Sequence, residues 1–224
     1  REAGVTFLCS PFDDASVALL SHIGIPAWKI PSGETVNYPM LARIAAKGQP
    51  MIVSTGMCTL AEVERAVDTI EQAGNQQYIL LHCTSAYPAV PESVNLRAMQ
   101  TLAQAFGCLV GYSDHTMGID IPVAAVAMGA KIIEKHLTLD CSSPGPDHRA
   151  SLEPPDFLGM VQAIRRVESA LGTGRKTPSP SEQATKDVAR KSLFAKRDIR
   201  AGEMLKPDMV MAQRPGTGLS PDAL

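Results

Sequence analysis

Short apolar runs recur along the chain roughly every 25 residues, and each gives way to a segment of helical periodicity. This is the pattern of repeated βα units. The runs cover residues 5–9, 25–30, 51–54, 78–83, 108–112 and 131–136. Between them the helix signals are specific in places. Thr59 and Glu62 form a capping-box pattern, Gly74 follows a last helical turn, and Asn95 opens an apolar-periodic run that ends at Gly107. A last amphipathic helix is predicted over residues 154–171, stopping at Gly172. Such alternation predicts a parallel sheet covered by helices.

Six units suit an open doubly wound sheet by count, because a closed (β/α)8 barrel needs eight. The polar residues point the other way. Nearly every run ends in reactive side chains: Ser10; Lys29 with Ser32 and Glu34; Ser54 with Thr55; His82 with Thr84; Ser113 with His115; Glu134 with His136. A barrel gathers all its strand C-termini around one mouth, whereas an open sheet spreads them along a line and uses mainly those at its switch point. The expected fold class is therefore α/β, a (β/α)8 TIM barrel with about six βα units present and the N-terminal ones missing. Residues 1–172 are assigned to that partial barrel. Residues 173–190, opening with a Gly-, Ser-, Thr- and Pro-rich stretch, are assigned to a linker, and residues 191–224 to the truncated start of a small β-rich module. In that module "SLFAKRDI" and "EMLKPDMV" are the expected strands, with Arg200-Ala201-Gly202 as the turn.

Composition narrows the function classes. Apolar residues make up 45% and charged residues 20% of the chain, with a net charge of -2 and no run of like charge. That balance excludes a nucleic-acid partner, which would need a basic footprint, but leaves room for a small anionic ligand needing one or two placed cations. The longest apolar stretch, residues 121–128, is too short to cross a bilayer, and no signal peptide is visible, although the chain begins at Arg1 without a methionine. The five cysteines are odd in number, form no CxxC pair and sit mostly in apolar runs, so they read as reduced core thiols of a cytoplasmic protein. P-loop, GxGxxG, GxSxG and HExxH patterns are absent, which removes nucleotide-driven, NAD-linked and serine-hydrolase readings.

Three constellations carry candidate chemistry. His115 and His136 end two consecutive predicted strands, and two neutral imidazoles leave open coordination positions on a transition metal. A lone histidine, however, is more often a residue with a satisfied hydrogen bond. Lys29 to Glu34 places a lysine at a strand end before a Ser-Gly turn and a carboxylate, a suitable start for a phosphate or carboxylate cradle that Ser54 and Ser113 would complete. The bland alternative is a snorkelling lysine and a helix-start glutamate. Asp147 lies in a polar loop between the last strand and the final helix, where it could bind a polyol or be an ordinary exposed residue. His22 and His82 read as structural.

Taken together, "KIPSGE" at 29–34, "VSTGM" at 53–57, "HCTSAYP" at 82–88, "GYSDHT" at 111–116, "IEKHLTLD" at 133–140 and "GPDHRASLEP" at 145–154 resemble the N-acetylneuraminate (sialic acid) synthase family. The tail "KSLFAKRDIRAGEML" and "RPGTG" at 214–218 resembles the opening of that family's antifreeze-like SAF domain. The resemblance implies a metal-dependent condensation of phosphoenolpyruvate with open-chain N-acetylmannosamine or a related amino sugar. The metal implied is Mn2+, with Mg2+ or Co2+ as alternatives, held by His115 and His136. It further implies phosphoenolpyruvate contacts from Lys29, Ser54, Ser113 and Ser10, the last at a position often Thr in the family. Ser32 belongs to the same motif, and Ser85 stands where some members carry an Asn that holds phosphoenolpyruvate. Glu34 resembles the active-site glutamate, and Tyr87 and Asp147 the amino-sugar contacts. Arg214 resembles an arginine that reaches the sugar's N-acyl side in a neighbouring subunit, which implies a domain-swapped homodimer. The "GPDHRAS" loop looks closer to the neuraminate and legionaminate branches than to the pseudaminate one. The competing readings are another phosphoenolpyruvate-dependent 3-deoxy-sugar-acid synthase, which would lack the SAF tail, and a non-catalytic sugar-binding subunit, which would not need the histidine pair.

Overall fold

The computed structural model describes residues 4–223 and divides into two compact units, Arg1–Gly172 and Thr173–Leu224. In the first, helix α1 (Asp14–Ile23) leads into strand β1 (Trp28–Ile30), and then α2 (Tyr38–Ala45), β2 (Met51–Ser54), α3 (Leu60–Gln72) and β3 (Tyr78–Cys83) alternate. The short α4 (Pro91–Val94) and α5 (Ala98–Phe106) precede β4 (Leu109–Asp114), followed by α6 (Asp120–Ala127), β5 (Ile133–Lys135) and α7 (Pro154–Leu171). The five strands pair in parallel in chain order, β1-β2-β3-β4-β5. That order never reverses, so the sheet has no switch point and curls as part of a barrel wall rather than forming a doubly wound sheet.

Local signals explain the helix ends. Asp13 caps α1 through Ser16 N at 2.6 Å, and Gly24 closes it in the left-handed region at φ 75°. At the start of α3, Thr59 and Glu62 exchange both hydrogen bonds of a capping box. The α7 helix runs to Leu171 and stops at Gly172, as its periodicity predicts.

Strand alternation divides the sheet chemically. Trp28, Ile30, Met51, Val53, Leu80, Val110 and Tyr112 lie on one face and pack with Met40, Leu41, Ile44, Ile70 and Met99 of the helices into the core. The register puts Lys29, Ser54, Cys83, Ser113 and Glu134 on the other face. One face thus holds the fold together and leaves the other free for polar groups.

Some expectations change. The run at 5–9 is not a strand: residues 4–12 have no regular structure, and Val5 and Phe7 are exposed. A β-prone run becomes a strand only where a neighbouring edge accepts its hydrogen bonds, and no described strand does so here. The run at 25–30 contracts to Trp28–Ile30 because Pro26 has no N–H for the ladder. Asn95 does not open α5; it sits at φ 51° as the C-cap of α4. All five cysteines are free; Cys83 is buried, Cys58 and Cys108 pack partly buried against the core, and Cys9 is exposed rather than a core thiol.

In the second unit, β6 (Ser192–Ala195) and β7 (Val210–Gln213) form an antiparallel pair preceded by helix α8 (Gln183–Ala189). This helix lies inside the stretch read as linker. Its lead-in turn Pro180–Glu182 is capped by Ser179 and Glu182. The second strand starts only at Val210, the last residue of the expected segment 203–210, because Pro207 opens a 3-10 turn, Pro207–Met209, ahead of it. No helix among the described residues is long and apolar enough to cross a membrane.

Candidate active site

The polar face of the sheet opens into a cleft of about 560 Å³. Ser10, Lys29, Ser32, Ser54, Ser85, Tyr87, Ser113, His115 and His136 all line it, together with Phe12, Cys83 and Glu134. A larger cleft of about 670 Å³ lies at the opposite strand ends, near Pro50, Gln77 and Cys108, where no such collection of polar side chains meets. The polar side chains therefore gather at the C-terminal strand ends, where a barrel would carry its chemistry.

At the floor, Lys29 is held by Ser54 Oγ at 2.8 Å and by its neighbour's carbonyl, Ile30 O, at 3.1 Å. Its ammonium lies 3.5 Å from Glu134 Oε2, while Glu134 Oε1 accepts from Ser113 Oγ at 2.7 Å. Burial pushes the Lys29 ammonium below its ordinary value, and the Glu134 carboxylate offsets part of that shift. Ser32 Oγ accepts from Gly56 N at 2.9 Å. A Cβ at Gly56 would collide with Ser85 Oγ and lie 2.7 Å from Ser32 Oγ, so the glycine lets these hydroxyls approach the backbone. One ammonium among serine hydroxyls is a site for a small anion.

Beside it stand the histidines. Their ring centroids are 5.2 Å apart with the planes nearly perpendicular, and Tyr87 packs 4.2 Å from His115 and 5.8 Å from His136. His115 Nδ1 is 2.8 Å from Thr84 O. A carbonyl can only accept, so Nδ1 carries the proton and Nε2 of the neutral ring is left with its lone pair. His136 Nδ1 is 4.0 Å from Asp147 Oδ2, an electrostatic contact rather than a hydrogen bond. Burial and the neighbouring His115 hold His136 below its ordinary value. Burial also pulls on His115, but contacts with Cys83, Thr84 and Asp114 outweigh it and leave that ring raised. The Cys83 thiol, 3.8 Å from His115 Nδ1, is pushed up by burial and brought below its ordinary value by hydrogen bonding to His115 and Ser32.

A backbone-anchored imidazole beside a second one could hold a metal with open positions, since ligating histidines commonly give their other N–H to a carbonyl. Among the described residues no group of three or more His, Cys, Asp or Glu gathers at ligating distance. The pair would leave most of a cation's shell to water and substrate.

Three expected residues are absent from the cleft lining: Asp147 reaches it only through its contact with His136, and two stand further apart. Glu34 does not line the cleft; it sits on the turn Ser32–Glu34, with Oε2 accepting from Asn37 Nδ2 at 2.8 Å. Arg214 belongs to the second unit. Conversely, Cys83 was not expected in the site, and Glu134 was expected only as a polar strand end with no assigned role. Alternation carried the signal for Glu134, two residues before His136 and hence on the same face.

Residues 1–176 match the NeuB family and residues 190–224 the SAF domain. The chain is 47% identical over 99% of its length to an N,N'-diacetyllegionaminic acid synthase of Legionella pneumophila, spanning 63% of that protein. It is 41% identical over 94% of its length to human N-acetylneuraminate-9-phosphate synthase, spanning 58% of it. The crystal structure of an N-acetylneuraminic acid (sialic acid) synthetase from Leptospira borgpetersenii in complex with citrate superposes with a TM-score of 0.77 at 38% identity, over 82% of this chain and 64% of that one.

Proposed function

Because the chain belongs to the NeuB family, we propose that its cleft serves a synthase that joins phosphoenolpyruvate to an N-acetylated amino-sugar aldehyde, releasing phosphate and a nonulosonic acid. The observation that carries this reading is the juxtaposition, in one cleft, of the Lys29 and serine cradle with the His115–His136 pair. One half suits a phosphorylated carboxylate and the other an oxygen that gains negative charge.

In the proposed reaction C3 of phosphoenolpyruvate bonds to the aldehyde carbon, whose oxygen takes up a proton and becomes a hydroxyl. Water adds at C2, the C2–O bond to phosphate breaks, and a ketone remains. Lys29, Ser10, Ser32, Ser54, Ser85 and Ser113 hold the phosphate and carboxylate, so that C3 meets the aldehyde in a fixed orientation. Glu134, tied to both Lys29 and Ser113, keeps the cradle ordered. Tyr87 and Asp147 bind the sugar. When bound at His115 and His136, a divalent cation, Mn2+ in preference to Mg2+ or Co2+, would supply Lewis acidity toward the aldehyde oxygen. N-acetylmannosamine or its 2,4-diacetamido counterpart is the proposed aldehyde, giving neuraminate or legionaminate in the cytoplasm. Arg214 would serve the neighbouring subunit of a homodimer.

His136→Ala tests this reading. It should abolish metal-stimulated phosphate release from phosphoenolpyruvate plus amino sugar, and undiminished release in metal-free buffer would refute it.

A further inference from the structure

Each histidine of the cleft stands one residue beyond a member of a buried ion pair that the reaction does not use. Asp114 ends β4, Lys135 ends β5, and the two are register partners at the last rung of that ladder. Alternation turns them away from the cleft that Ser113 and Glu134 face. Both side chains are fully buried, with Nζ 2.7 Å from Oδ2. Asp114 Oδ1 accepts from Thr116 N at 2.9 Å and Thr116 Oγ1 at 2.8 Å, and the Lys135 ammonium also donates to the Thr116 carbonyl.

Stability does not account for this pair. Desolvating two charges costs several kcal/mol each, and well-packed apolar replacements for such pairs are often neutral or stabilising. Its position is more informative. The β4–β5 ladder ends at this rung, and beyond it each histidine's carbonyl is tied to a neighbour on its far side, His115 O to Ala89 N and His136 O to Leu152 N, both at 2.9 Å. The spacing of the two imidazoles is therefore set where Lys135 bridges Asp114 on one strand to Thr116 on the segment that carries His115.

We propose that Asp114, Lys135 and Thr116 form a clamp behind the sheet that fixes the separation and orientation of His115 and His136, and so sets their affinity for a divalent cation. All three are positioning residues and touch neither substrate nor metal. The metal half of the inference rests on the function proposed above, while the geometric half does not.

The double variant Asp114→Asn/Lys135→Met keeps an acceptor for Thr116 and the length of the lysine stem but removes the ionic bridge. Mn2+ titration followed by electron paramagnetic resonance should show affinity weakened roughly 10- to 100-fold, the range for outer-shell partners of metal ligands, with the unfolding temperature close to that of the unaltered protein. Unaltered affinity in the double variant overturns the clamp. Thr116→Val, which keeps the ion pair and loses one hydrogen bond, should weaken binding roughly 2- to 10-fold, and serves if the double variant does not fold. The protein has five histidines, so imidazole resonances in metal-free samples give a second readout. His115 and His136 should shift in both variants while His22 and His148 stay in place. If the unaltered protein binds no Mn2+, the metal reading fails, and the metal-free spectra alone decide the clamp: unmoved His115 and His136 resonances overturn it.

Discussion

Replacing Lys29 with methionine removes the ammonium of the cradle at nearly constant volume. The side chain is 11% exposed, against 39% for Glu134, so the cation is the more desolvated member of the pair. Across about 4 Å at an effective dielectric of ~20, an ammonium and an anion attract by about 4 kcal/mol. Without ligand, part of that field is spent on Glu134 at 3.5 Å, so the net loss is closer to that of one charge-assisted hydrogen bond, about 1.5–3 kcal/mol. At 1.4 kcal/mol per tenfold, the dissociation constant for phosphoenolpyruvate should rise roughly 10- to 150-fold. Isothermal titration gives that constant, and initial rates of phosphate release give KM and kcat separately. The sugar KM should change little. Stability should hold, since Glu134 keeps Ser113 as a donor and is open enough for water. Unchanged affinity for phosphoenolpyruvate in a folded Lys29→Met protein would refute the assignment of the cradle.

Other expectations follow from single positions. Gly56→Ala should weaken phosphoenolpyruvate binding without unfolding the protein, because the new methyl meets the Ser32 and Ser85 hydroxyls rather than the core; calorimetry checks both. A Cβ at Gly111 would lie 2.5 Å from Ile132 O and 2.6 Å from Leu81 Cδ2. Gly111→Ala should therefore cost about 1–3 kcal/mol in denaturant unfolding, since a backbone carbonyl cannot step aside. Hydrogen bonds from Thr59 hold the Glu62 carboxyl below its ordinary value. The folded state then binds fewer protons than the unfolded one, so the capping contribution is full above the unfolded value of about 4.3 and is lost as pH falls through the lower folded one. Amide exchange at the start of α3 should accelerate over that acid range relative to α5, and Glu62→Gln should flatten the difference.

Much of the fold could be read from the chain because its signals are local. The capping box at Thr59 and Glu62, the glycine stop after Leu171 and the alternation of β5 each require only neighbours in sequence. The polar strand ends located the cleft for the same reason, since parallel strands covered by helices place all their C-termini on one side. What was missed depends on distant partners. Residues 5–9 have the composition of a strand, but composition does not reveal whether an edge is available to pair with. Glu134 is only one polar strand end among several until the register brings it to Ser113 and Lys29, and Asp114 and Lys135 look like surface charges until they prove to be each other's counter-ion. Helix α8 was hidden by its Ser- and Pro-rich lead, although Ser179 and Glu182 already spell a capping box.

The most direct test of the account is to incubate the protein with Mn2+ and phosphoenolpyruvate, with and without N-acetylmannosamine or a 2,4-diacetamido hexose, measuring inorganic phosphate and the mass of the sugar product. The account predicts phosphate only when an amino-sugar aldehyde is present, in equal amount to a new acid three carbons longer than that sugar. Phosphate released without the sugar, or no release with any of these aldehydes, would contradict it.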